Sequence, residues 1–210
     1  MKRYLASIII AGLMIVAVIA GVFLMRPSNN GDPESNTGAL GKATPRSVIA
    51  LEEFGDYQCP PCAELHPTLK QLKNELGPKL NFVFRNLPLS TIHKNALPAA
   101  QAAEAARMQN RFWEMHDLIY ENQSLWAEDK NPRNHFRKFA NELGLDVARF
   151  EADMDGDQVR FRLEADRDAA VRLGIEGTPT VLIDGRKLRP EATNAEGIRK
   201  GIDLTVSRQK

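Results

Sequence analysis

The sequence predicts an α/β domain with a block of helices inserted at one crossover, placed after an apolar N-terminal segment. Three observations predict it. A β-prone run, a helix-spaced run and an alternating run follow one another between Ser47 and Leu89, the order of a strand–helix–strand unit with a parallel pair. From Ala96 to Leu173 the apolar spacing is helical. "TPTVLIDGRKL" then returns to strand chemistry with a hairpin signal before a last helical run.

Lys2 and Arg3 precede Tyr4–Met25, a stretch without a charged residue. As a helix rising about 1.5 Å per residue it would span about 30 Å, the apolar thickness of a bilayer. The positive-inside bias leaves the N-terminus in the cytoplasm and exports the rest. Cleavage after Ala20, with Val18 and Ala20 as the small residues, is the rival reading. The apolar run continues to Met25, however, beyond the roughly 7–15 residues of a signal h-region. The reading adopted is a signal anchor or signal peptide over residues 1–25, with an uncleaved anchor preferred. Residues 26–46, rich in Pro, Gly, Ser and Asn, read as a flexible linker. Residues 47–210 form the extracytoplasmic domain, facing the periplasm or the outer side of the cell envelope.

Within that domain Ser47–Phe54 reads as a buried strand. Ala63–Leu76 reads as a helix stopped by Gly77-Pro78, and Lys79–Leu89 as the second strand. The insertion, about 96–173, opens with an alanine-rich segment that puts Phe112, Met115 and Ile119 on one stripe. A further helix starts with Asn131 as N-cap and Pro132 in first position, and ends at Gly144. Asp146 caps a short helix through Met154, and the helix over 157–173 ends at Gly174. Thr180–Ile183 is a strand, Asp184-Gly185 a hairpin turn, Arg186–Leu188 the returning strand, and Ala195–Val206 a final helix. A formal net charge of +1 and no Lys/Arg run argue against nucleic acid as a partner. Arg160, Arg162, Arg167 and Arg172 read as a solvated helix face.

The only two cysteines, Cys59 and Cys62, lie in "FGDYQCPPCAELHP" at the strand-to-helix junction. Thiol–disulfide exchange needs one exposed, ionised thiol and a second that resolves a mixed disulfide. A Cys-x-x-Cys at a helix start supplies both, because free N–H groups and the helix dipole favour the first thiolate. Pro60-Pro61 suits a first turn, where a missing N–H costs least. Zinc would want four ligands, and only Cys59, Cys62 and His66 cluster in sequence, with His93, His116 or His135 as a distant fourth. A structural disulfide would close too small a loop to constrain the unfolded chain much. Asp56, Tyr57 and Gln58 read as a surface loop, against an inert buried pair. Redox chemistry is the preferred reading, with no metal.

The segment "EEFGDYQCPPCAELHP" resembles the active-site segment of the thioredoxin superfamily in its DsbA-like branch, over about Val48 to Val206. "EGTPTVLIDG" is similar to that family's cis-proline loop, and the helical insertion distinguishes the branch. The resemblance implies a thioredoxin-like fold and a cis Thr178–Pro179 peptide facing Cys59, with the Thr178 backbone pairing with a bound substrate strand. It implies Cys59 as nucleophile, Cys62 as resolving thiol and Glu53 as a buried acid that relays a proton. Glu52 would point to the opposite face of the strand. Pro60, Pro61, Thr178 and Pro179 would shape the substrate groove, and Pro67 matches a structural helix-kinking proline. His66, about one turn after Cys62, could tune the thiols or be a partly exposed surface residue.

No cofactor beyond the redox-active disulfide is implied. The partners implied are exported protein substrates, a membrane redox partner of DsbB or VKOR type, and the membrane itself through residues 4–25. The dipeptide between the sulfurs is Pro-Pro where strong oxidases of the branch carry Pro-His. A less oxidising pair is therefore expected, with Cys59 still below the free thiol pKa. Alternatives left open are a disulfide reductase or isomerase, and a peptide-binding chaperone with the same fold.

Overall fold

The structure is a computed structural model and describes residues 48–209. The expected anchor at 4–25, cleavage after Ala20 and the linker at 26–46 lie outside the described residues. Among the described residues no helix is long and apolar enough to cross a membrane.

A four-stranded sheet is built from β1 (Ile49–Gly55), β2 (Leu80–Asn86), β3 (Thr180–Ile183) and β4 (Arg186–Lys187), in the order β2-β1-β3-β4. β1 and β2 run parallel, joined by helix α1 (Pro60–Leu76), a proline-containing 3-10 turn and the short return into β2. β3 lies antiparallel to β1 on its other side, with Glu53 opposite Val181 and Phe54 opposite Thr180. The β3–β4 hairpin turns at Asp184 and Gly185, both at positive φ, which Asp and Gly tolerate better than branched residues.

Alternation along β1 decides what lies on each face. Ile49 and Leu51 face a core with Leu65, Leu69 and Leu72 of α1 and with Ile198 and Ile202 of α8 (Ala195–Gln209). Phe54 faces the other side, against Ala169, Ala170 and Ile175. Each fully buried leucine or isoleucine contributes roughly 1.5–3 kcal/mol, so these few contacts are enough to fix the register of β1.

Between β2 and β3 the chain forms α2 (Ala96–Arg107), α3 (Phe112–Glu121), α4 (Gln123–Trp126), α5 (Arg133–Glu142), α6 (Val147–Met154) and α7 (Asp157–Arg172). The small side chains of α2, six of its alanines buried with Ala96, let Phe112, Met115, Ile119, Trp126, Phe136 and Phe150 close around it in a second core. Cys59, Cys62 and Tyr57 belong to this core, so the redox segment sits under the insertion.

Details differ from the sequence reading. The alanine-rich segment is broken at Met108–Arg111, where Asn110 takes φ +60 and Arg111 donates back to the Ala106 carbonyl. Asn tolerates that conformation, and the turn reorients α3 against α2. Asn131 is not a cap: its N–H donates to Asp129 Oδ1 at 2.8 Å, and α5 starts after Pro132. Asp146 does cap α6, accepting from the Arg149 N–H, and Gly144 and Gly174 end their helices at positive φ. Arg162 is not simply solvated. Its Nε donates to buried Glu104 at 2.7 Å, joining Arg107 and Asn86 on the same carboxylate.

Candidate active site

Cys59 is the N-cap of α1, with extended backbone (φ −69, ψ 120), and Pro60 and Pro61 occupy the first two helical positions. The prolines remove two of the N–H groups that a helix start offers, so the first backbone donor near the sulfur is the Cys62 N–H, which also donates to the Cys59 carbonyl at 3.2 Å. Both cysteines are free thiols. Cys62 is fully buried and Cys59 is 5% exposed, with exposed Pro60 and Pro61 beside it. An openly accessible first thiol was expected; the Thr178 loop covers it, and its Sγ donates to the Thr178 carbonyl at 3.5 Å. The Thr178–Pro179 peptide is cis.

The environment separates the two thiols. Cys59 is held down from 9.0 to about 6, chiefly by a hydrogen bond from the Cys62 thiol. Burial opposes this, and further donors are Thr178 and the Cys62 N–H. The Thr178 hydroxyl has no other partner although it is buried, so it is available to the thiolate once the sulfur no longer donates to the carbonyl. Cys62 is pushed far up, first by burial and then by its donation to Cys59 and the nearby charge of Glu53.

Glu53 lies on the α1 face of β1 and is 1% exposed. Burial, with Cys59 adding to it, raises its pKa from 4.5 to about 8, and its Oε1 has no hydrogen-bond partner. Glu52 points the other way, to Arg85, which also binds Asp166 at 3.1 Å. The site thus holds a nucleophile that ionises near neutral pH, a thiol that resists ionisation, and a carboxyl that can be protonated at the same pH. That set can open and close a disulfide with one proton stored locally.

The loop before Cys59 is buried, not a surface loop. Asp56 accepts from Gln58 N–H at 2.7 Å, Leu89 N–H at 2.9 Å and His93 Nδ1 at 2.8 Å. Tyr57 packs at tilted and edge-on angles among Phe84, Tyr120 and His116. Gln58 accepts from the Asn95 N–H and donates to the Ala127 carbonyl. Three polar residues in a row hid this, because their partners lie far along the chain. Gln123, also missed, donates to the carbonyls of Tyr57 and Cys59 at 2.7 and 3.3 Å and so fixes the backbone of the nucleophile. The Asp-x-Gln spacing at 56–58 is an Asx-turn signal that sequence reading could have used.

His66 is buried, against the expectation of partial exposure. It stacks on Tyr120 and faces Asp117, and the leading influences on both sulfurs come from other groups. Pro67 lies inside α1 on its exposed side.

Comparison with known proteins follows the same lines. A family described as thioredoxin matches residues 37–203. Among solved structures, DsbA from Xylella fastidiosa superposes with TM-score 0.65 at 23% identity, over 79% of this chain and 89% of that one. BdbD from Bacillus subtilis, in its oxidised form, gives TM-score 0.67 at 20% identity, over 80% and 91%. A thioredoxin-like oxidoreductase from Silicibacter pomeroyi gives 0.64 at 23%, over 79% and 90%. In sequence, the Na(+)/H(+) antiporter NhaA 3 of Salinispora tropica is 34% identical over 156 residues, covering 74% of this chain and 22% of that protein. The NhaA antiporter of Herminiimonas arsenicoxydans is 38% identical over 141 residues, covering 67% and 21%. The chain spans about a fifth of the length of these curated relatives.

Proposed function

The chain belongs to the thioredoxin superfamily, with a DsbA-like helical insertion, and on that footing we propose that it is a thiol–disulfide oxidoreductase acting on exported proteins. The observation that carries this reading is the opposite displacement of the two thiols, Cys59 down to about 6 and Cys62 up.

In the oxidising direction a substrate thiolate attacks Cys59 Sγ of the Cys59–Cys62 disulfide. The S–S bond breaks, a mixed disulfide forms, and Cys62 leaves as a thiolate. Glu53, protonated near neutral pH, gives its proton to that otherwise costly buried anion. A second substrate thiolate then attacks the substrate sulfur of the mixed disulfide and releases Cys59 as a thiolate. The substrate loses two electrons and gains a disulfide, and the enzyme ends as the dithiol. A membrane disulfide donor of DsbB or VKOR type re-forms the enzyme disulfide and takes the electrons. Pro60, Pro61, Thr178 and Pro179 border the sulfur and offer the surface on which a substrate strand lies. Tethering by residues 4–25 on the outer side of the cytoplasmic membrane completes the reading.

A Cys59 pKa of about 6 lies between those of thioredoxin, about 7, and DsbA, about 3.5. Thiolate stability tracks oxidising power, so the reduction potential is expected between about −270 and −120 mV. Equilibration with glutathione measures it: a value near the thioredoxin end turns the reading to a reductase or isomerase. Cys59→Ser, assayed beside the wild type, decides whether Cys59 carries the activity. Catalysed oxidation or reduction of a test protein should disappear; wild-type protein without such activity would leave a peptide-binding chaperone, and activity that survived undiminished in the variant would remove Cys59 as the nucleophile.

A further inference from the structure

Away from the sulfurs, α1 and α3 bring two buried imidazoles and a carboxylate together. His66 comes from α1, and His116 and Asp117 are neighbours on α3. One ligand-capable atom of each lies within 4.8 Å of the other two. His66 Nε2 is 3.5 Å from Asp117 Oδ1 and 4.0 Å from Glu121 Oε1, yet it is buried without a hydrogen bond. His116 Nδ1 is engaged by the Tyr57 hydroxyl at 2.9 Å, which leaves its Nε2 available. A metal-bound histidine ordinarily has its second nitrogen anchored in this way. A cavity of about 50 Å³ opens among His66, His116, Asp117, Lys70, Lys73 and Trp113. An ion with one water fits such a volume, since a water needs about 10–15 Å³ of it.

Packing accounts for two histidines in an aromatic cluster but not for an orphaned imidazole nitrogen facing a carboxylate across a cavity. We propose that His66, His116 and Asp117 form a binding site for a divalent ion of the zinc type, with water in the fourth position. Two imidazoles and one carboxylate are the donor set of borderline transition ions, and three protein ligands leave an open site. Zinc bonds of about 2.0–2.2 Å put tetrahedral ligand atoms about 3.3–3.6 Å apart, so atoms now within 4.8 Å of one another draw together on binding. Asp117 is partly exposed and can follow once Lys70 releases its Oδ2.

Two cations oppose the ion. Lys70 Nζ lies 2.8 Å from Asp117 Oδ2 and 2.6 Å from Glu121 Oε1, and Lys73 Nζ sits 3.5 Å above the Trp113 ring. Lys70 is a competitor that must swing out, which gives the site a distinctive response. Sequence reasoning groups His66 with the cysteines as a zinc candidate and sets it aside; the geometry groups it with α3 instead.

The test uses the full-length oxidised protein, whose disulfide takes both thiols out of play. Co(II) is titrated and followed by visible d–d absorption, then displaced with Zn(II). One ion per chain with a tetrahedral spectrum is expected. His66→Gln and Asp117→Asn should each weaken binding at least about tenfold, and Lys70→Met should tighten it. Absence of a cobalt spectrum overturns the proposal. So does an affinity unchanged in Asp117→Asn, a partly exposed position where the fold is checked by circular dichroism. An affinity that Lys70→Met leaves unchanged or lowers also overturns it.

Discussion

Replacing Glu53 by Gln should stabilise the reduced protein, by an amount that grows with pH. The carboxyl is buried and its pKa is raised from 4.5 to about 8. In that window the folded chain holds a proton that the unfolded chain has released. Stability therefore falls as pH rises from about 4.5, by about 1.4 kcal/mol per unit, and levels off above the folded value of about 8. Between pH 5 and pH 8 the penalty grows by about 3–4 kcal/mol. Gln keeps the shape, carries no charge, and loses no bond at the position of Oε1, which has none. Urea unfolding of the reduced wild type and of Glu53→Gln at pH 5, 6, 7 and 8 measures the difference. It should be small at pH 5 and open steadily in favour of the variant. A difference independent of pH would refute the reasoning, because it would mean that Glu53 titrates alike in both states. The stability lost to an acid in this place is bound up with its proposed use, since only a carboxyl protonated at neutral pH can supply Cys62.

Other substitutions probe separate parts of the account. Thr178→Val removes a buried, otherwise unpartnered hydroxyl that donates to the Cys59 thiolate. A hydrogen bond to a charged group contributes about 1.5–3 kcal/mol, so the Cys59 pKa should rise by roughly one unit or more, read from thiolate absorbance against pH. No change there would assign the low pKa to Cys62 alone. Glu104→Ala leaves Arg107, Arg162 and Asn86 without their shared carboxylate. A loss of about 2–4 kcal/mol in chemical denaturation is expected, at the lower end of buried-pair values because both guanidiniums reach solvent. Gly55→Ala would drive a methyl into the Phe84 ring and to within 3.0 Å of the Tyr120 hydroxyl. Overpacking of that kind costs about 1–3 kcal/mol, and a melting temperature equal to wild type would show that the ring can yield.

The parts of this molecule that were legible in the sequence are those encoded locally. Alternation in "IALEEFG" put Glu52 and Glu53 on opposite faces, and β1 keeps them there. Gly144, Gly174 and the Asp184-Gly185 pair marked turns through their backbone freedom, and all four take positive φ. Cys-x-x-Cys after a strand marked the helix start that Cys59 caps. What stayed hidden depends on partners remote in sequence. Asp56, Tyr57 and Gln58 look polar enough for a surface, yet Leu89, His93, Asn95 and His116 bury them. Arg162 reads as one more exposed arginine until Glu104 of another helix is placed beside it. His66 follows the same rule, because its neighbours Asp117 and Tyr120 lie on a helix whose orientation is set by the break at Asn110.

The measurement closest to the central claim is the pH dependence of thiol alkylation in the reduced protein, with the modified cysteine identified by peptide mass spectrometry. The account predicts that Cys59 alone reacts near neutral pH, with a half-maximal rate at pH about 6, and that Cys62 stays unmodified. Modification of Cys62 at a comparable rate, or a Cys59 profile centred at the free-thiol value of about 8.5, would contradict it.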